Sequence, residues 1–133
     1  MKSTIIRFIS AALLLVSCLM QQAYAADIIV ISNPGVTISA GDVRDIFLGE
    51  KQFAGNTKLV VIDNAALQEG FLDKYIHMDI NKYNGIWTKK SFRDGLNPPA
   101  VKSGDAEVIE FVKRTPGSIG YISHPAAGVN TVQ

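Results

Sequence analysis

The segment from Asp105 to Ile122 leaves its backbone few choices. Val108, Phe111 and Val112 recur at helical spacing among Glu107, Glu110, Lys113 and Arg114, so its first part reads as an amphipathic helix. Thr115-Pro116-Gly117 ends that helix: proline has no N–H to continue it, and glycine takes up a sharp turn at low cost. Ile119 to Ile122 then reads as a short buried strand. Helix, turn and strand follow one another with no slack.

The same alternation runs through the chain. Asp27-Ile28-Ile29-Val30-Ile31-Ser32 is an apolar run stopped by Asn33-Pro34-Gly35. A run without polar alternation suggests a strand covered on both faces, as in a parallel sheet. Ser39, with Asp42 after it, reads as a helix N-cap, Val43, Ile46 and Phe47 as the inner stripe, and Gly49 as the stop. Glu50 to Lys58 reads as a polar loop. Leu59-Val60-Val61-Ile62-Asp63 is a second buried strand. It leads through Asn64, a candidate cap, into a helix carrying Leu67, Phe71, Leu72, Tyr75 and Ile76 on one face. A further helix is expected from about Asn81 to Phe92, with Tyr83, Ile86 and Trp87 inside. Arg93 to Lys102 reads as irregular, Ser103 as the cap of the last helix, and Val129 to Gln133 as a short edge strand.

Strands alternating with helices predict an α/β domain, a small mixed or parallel sheet flanked by helices. Ligands of such sheets sit beyond the carboxyl ends of the strands. The expected rim is Ser32-Asn33, Asp63-Asn64 and Ser123-His124, joined by Ser103-Gly104-Asp105.

The first 25 residues have a different character. A basic start at Lys2 and Arg7, an apolar run to Met20 and the small-x-small site Ala23-Tyr24-Ala25 read as a signal peptide over residues 1–25. The mature domain is then 26–133, and the expected location is periplasmic. Leu15-Val16-Ser17-Cys18 also fits a lipoprotein cleavage box, which would anchor the chain to a membrane through Cys18. The apolar continuation after Cys18 favours release at Ala25. Cys18 is the sole cysteine, so a chain cut at Ala25 forms no internal disulfide. Removing Lys2 and Arg7 from 13 basic residues leaves 11 against 12 acidic, a net charge of −1. That balance is no footprint for nucleic acid or anionic lipid.

Asp42-Val43-Arg44-Asp45-Ile46-Phe47-Leu48-Gly49, Val60-Val61-Ile62-Asp63, Tyr83-Asn84-Gly85-Ile86-Trp87 and Ser103 through Ile122 resemble, in this order, one lobe of the phosphate-binding proteins of ABC transporters. Thr115-Pro116-Gly117-Ser118-Ile119-Gly120-Tyr121 is the most specific piece. The resemblance implies one lobe of a type II periplasmic-binding-protein fold and a role in binding a solute, with inorganic phosphate or another oxyanion as the expected ligand. It also implies an arginine after the second strand and a Ser-Gly-Thr turn at the next helix. Here those positions read Asp63-Asn64-Ala65-Ala66-Leu67-Gln68-Glu69, so both donors are missing and two carboxylates, Asp63 and Glu69, stand near their place. An ionised carboxylate only accepts hydrogen bonds. At ~4 Å it repels a unit negative charge by about 4 kcal/mol at an effective dielectric of 20.

The candidate oxyanion contacts are Ser32, Asn33, Asn64, Ala65, Ser103 and Gly104, each with an ordinary reading as cap or turn. His77 and His124 have no metal-ligand spacing, so no metal and no cofactor is expected. Ser118 lacks the Gly-x-Ser-x-Gly frame of a nucleophile elbow, and no catalytic residue is assigned. Asp105, Glu107 and Glu110 read as a solvated helix face. Two functions fit: weak or lost phosphate binding on the rim, or an interaction module that kept the fold and docks an envelope protein or a second copy.

Overall fold

A computed structural model describes residues 27–133; the leader expected at 1–25 and the Cys18 alternative lie outside the described residues. In chain order the elements are β1 (Ile29–Ser32), α1 (Val43–Phe47, entered through a 3-10 turn at Ala40–Asp42), β2 (Phe53–Ala54), β3 (Thr57–Lys58) and β4 (Val60–Asn64). There follow α2 (Gln68–Phe71, running on into a π-type turn Leu72–Ile76), α3 (Ile80–Asp94), β5 (Ala100–Lys102), α4 (Asp105–Arg114), β6 (Ser118–Ile122) and β7 (Asn130–Thr131). Five strands make one sheet in the order β5-β4-β6-β1-β7, and β2 and β3 form a separate hairpin. The α/β layering and the mixed sheet are as expected.

The apolar runs become strands because helices cover both faces of the sheet. On one face, Val30, Ile119 and Tyr121 pack with Ile46 and Phe47 of α1, Phe71 of α2, and Tyr83 and Trp87 of α3. On the other, Ile31, Ile62 and Ile122 pack on Val108 and Val112 of α4. The Phe71 and Tyr121 rings stack with centroids 3.9 Å apart. Trp87 donates its indole N–H to the Phe47 carbonyl at 3.1 Å, which ties α3 to the end of α1. That contact leaves no room at Gly49, where an added Cβ would come within 2.7 Å of the indole.

β1 departs from the parallel arrangement its apolar run suggests. It runs antiparallel to β6 and to β7, whereas β4 is parallel to both β5 and β6. An unbroken apolar run reports only that both faces are covered, not which way the neighbours run. Two short elements fall within stretches expected to be irregular. The loop Glu50–Lys58 holds the β2–β3 hairpin, turned by Gly55 at φ +59°. Ala100–Lys102 is a strand because it registers Ile62 with Ala100 and Asn64 with Lys102. Three residues after Pro98-Pro99 show no period of their own. Ser39 holds the first turn through its carbonyl, which accepts from the Asp42 amide at 3.0 Å, and makes no side-chain cap bond.

The Pro116-Gly117 turn is the tightest joint in the fold. Gly117 has φ +77°, and its carbonyl accepts from the Val60 amide at 2.9 Å. A Cβ at Gly117 would press directly on the Lys58 carbonyl oxygen. Gly117→Ala therefore adds left-handed backbone strain to a clash with main chain, together about 3 kcal/mol or more. The expected outcome is a melting temperature lower by roughly 10 °C or more, read by circular dichroism.

Candidate functional site

Because β4, β5 and β6 are parallel, their carboxyl ends meet at one end of the sheet, against the start of α4. There Asn64 donates through its side-chain amide to Asp105 Oδ1 at 2.9 Å and to the Tyr121 carbonyl at 3.1 Å. The other carboxylate oxygen of Asp105 accepts from the Ser123 amide at 3.0 Å and from the Ser123 hydroxyl. Asn64, Asp105 and Ser123 thus form one network joining β4, α4 and the exit of β6. His124 Nδ1 lies 2.8 Å from the Ser123 carbonyl at the exposed margin.

Four further amides on this rim have partners within the chain. The Ala65 amide donates to the Lys102 carbonyl at 2.8 Å, and the Ala66 amide to Asn64 Oδ1 at 3.1 Å. The Leu67 amide donates to the Asn64 carbonyl at 3.0 Å. The Ser103 amide donates to Glu107 Oε2 at 3.1 Å, and Gly104 is the residue in the cap position. Asn64, Ala65, Ser103, Gly104 and Ser123 are therefore together, but with a carboxylate already among them.

Partial burial pushes the Asp105 carboxyl up, yet the Ser123 hydroxyl, the Ser123 amide and the Asn64 amide outweigh it, and the net pKa lies below the ordinary aspartate value. The charged form is the one this network holds. Glu107, held by the Ser103 amide, is also shifted down.

Ser32 and Asn33 do not belong to this rim. β1 is antiparallel, so Ser32 registers with Ile119 while Ile29 registers with Ile122, which puts Ser32-Asn33 at the opposite end of the sheet. Both are buried. Asn33 donates to the Val112 carbonyl at 2.9 Å and to that of Lys113 at 3.3 Å, and its Oδ1 accepts from Gly35. It satisfies carbonyls at the carboxyl end of α4, a structural duty that leaves nothing for a ligand.

Asp63 is likewise displaced from its expected place. Strand alternation turns it to the face opposite Asn64, where it is 1 % exposed. Its two oxygens accept from the hydroxyls of Tyr121 and Tyr83, each at 2.9 Å. Glu69 is exposed on the first turn of α2. The carboxylate that faces the rim is Asp105, read from sequence as solvated. Its position at the helix start, just beyond Ser103-Gly104, was the available clue.

Burial pushes Asp63 up to about 6, the tyrosine and Gln68 hydrogen bonds offsetting only part of that cost. Tyr83 and Tyr121 are raised too, first by burial and then by the charge of Asp63. An acid whose pKa is higher folded than unfolded holds its proton more tightly in the folded state. Its contribution to stability is complete below about pH 4 and is lost as pH rises through about 6, a difference of about 3 kcal/mol. Urea unfolding at pH 4 to 7.5 is expected to show that decline, and Asp63→Asn to remove most of it relative to wild type.

No protein-family model matches the chain, and no curated protein matches it. Among solved structures it is similar to PstS from Borrelia burgdorferi, at 22% identity and a TM-score of 0.57, covering 79% of this chain and 46% of that one. It is similar also to a phosphate ABC transporter substrate-binding protein from Clostridium perfringens, solved with bound phosphate (16% identity, TM-score 0.55, 80% of this chain and 44% of that one). A third likeness is to an ABC-type phosphate transport receptor from Vibrio cholerae (16% identity, TM-score 0.50, 80% and 45%). Of these neighbours the second is named as a substrate-binding protein and the third as a transport receptor. The chain spans less than half the length of each. Among the described residues no helix is long and apolar enough to cross a membrane. At these identities the likeness establishes the fold: residues 27–133 have the architecture of one lobe of a phosphate-type substrate-binding protein.

Proposed function

We propose that this chain is an exported, non-enzymatic relative of the phosphate-binding components of ABC transporters, and that its own rim has lost tight phosphate binding. In this reading residues 1–25 are removed after Ala25 and the domain works in the periplasm, with lipidation at Cys18 the alternative. The observation that carries the reading is the Asp105 carboxylate. It takes three hydrogen bonds, from the Asn64 amide, the Ser123 amide and the Ser123 hydroxyl. Convergent neutral donors of this kind are what an oxyanion ligand requires. Asp105 supplies the anion from within, and its charge opposes a second one. With these donors of Asn64 and Ser123 engaged and no arginine beside them, the domain acts by contact with another protein.

Calorimetric titration of the chain with inorganic phosphate tests this. No heat is expected below about 1 mM phosphate. Asp105→Ala removes the internal anion and frees Asn64 and Ser123; it is expected to lower stability by about 2 kcal/mol. It should also bring measurable millimolar binding. Micromolar binding by the wild-type protein, or no gain in a folded Asp105→Ala variant, sinks the proposal.

A further inference from the structure

Two of the exposed large apolar side chains lie together at one edge of the sheet. Phe92 of α3 is 90% exposed and Val101 of β5 is 57% exposed. With Pro98 and Pro99 they border a cleft of about 420 Å³ that reaches Tyr83, Trp87 and Thr88. β5 is the terminal strand and pairs on one side only, with β4. The Lys102 carbonyl points inward, accepting from Ala65. By strand alternation the N–H and C=O of Val101 point outward, away from β4. The patch therefore combines a protruding aromatic ring, an open cleft and a free main-chain donor and acceptor.

We propose that this edge docks a second copy of the chain, with β5 antiparallel to β5 of its partner about a two-fold axis at Val101. The proposal rests on the reading that the domain acts by contact, and it names the partner. Four observations favour a copy over another occupant. First, knob and hole lie on one patch, so a two-fold lets Phe92 of each copy enter the cleft of the other. Second, an antiparallel pair centred on Val101 exchanges both outward hydrogen bonds. Third, that register sets Val101 against Val101 and Lys102 against Ala100, so no like charges oppose one another. The Lys102 ammonium already lies over the Phe111 ring, 4.8 Å from its centroid, and does not blunt the edge. Fourth, on the side of α4 that borders Lys102 of β5, Glu107 stands in the first turn and Arg114 in the last. The same axis makes the two α4 helices antiparallel, turning the acidic half of each toward the basic half of the other.

The test is the mass in solution of the chain, purified as the cell processes it, by light scattering and sedimentation. A dimer is expected at about 100 μM, within reach of a modest interface. Phe92→Ser is expected to raise the dimer dissociation constant at least about tenfold. Val101→Pro deletes the outward N–H, leaves the β4 ladder intact, and is expected to do the same. Circular dichroism confirms that both variants fold. A monomer at that concentration overturns the proposal, as does a dimer indifferent to both substitutions. Phosphate titration of the same sample separates the two readings. A monomer giving no heat removes the docking edge and leaves the reading of the rim, whereas micromolar phosphate binding removes that reading whatever the mass.

Discussion

Three hydrogen bonds onto one carboxylate hold the carboxyl ends of the parallel strands together. Asp105 begins α4, Asn64 ends β4 and Ser123 follows β6, and without the carboxylate those three ends have no common partner. The bonds are charge-assisted, and each exceeds a neutral bond in strength. An acidic residue in the first turn of α4 also complements the helix dipole. The same arrangement that stabilises the joint occupies the donors that would otherwise face solvent. One small set of N–H and O–H groups serves this joint, and the Asp105 carboxylate holds it.

A second polar centre lies on the other face of β4, beneath the helices. Asp63 is buried between Tyr83 and Tyr121, and Tyr121 in turn stacks on Phe71. This links α3, β4, β6 and α2 through one carboxylate and three rings. Such a group opposes folding when charged, because burial penalises the ion more than two neutral hydroxyls repay. Specific geometry is gained at some cost in stability near neutral pH. Among the described residues every buried side-chain nitrogen and oxygen has a partner, so this cost comes from the charge and not from a missing hydrogen bond.

Much of the fold was legible because hydrophobic period reports coverage. Ile28 to Ile31, Val60 to Ile62 and Ser118 to Ile122 are apolar runs, and each lies between two layers of helix. Strand direction was not legible, since a residue's burial is the same whichever way its neighbour runs. That single unknown misplaced Ser32 and Asn33 at the rim when they sit at the far end. β5 escaped for another reason: a three-residue strand is defined by its partner, not by itself. Asp63 and Asn64 show how much one position matters. Adjacent on a strand, they face opposite sides, and a rim drawn from sequence alone includes both. The leader, the processing site and the choice between Ala25 and Cys18 concern residues 1–26, outside the described part of the chain.

The place of β1 has a consequence for how the molecule is assembled. This strand lies between β6 and β7, so the earliest described element pairs with the two latest. Even the Ala40 amide finds its acceptor in the carbonyl of Gln133. A chain emerging amino end first can form α1, the hairpin and the α2–α3 region in passing. The middle of its sheet stays open until β6 and β7 arrive. High contact order of this kind delays closure. It leaves the earliest described strand unpaired until β6 and β7 have been made, and it makes β7, slight as it is, the latch on one edge of the sheet.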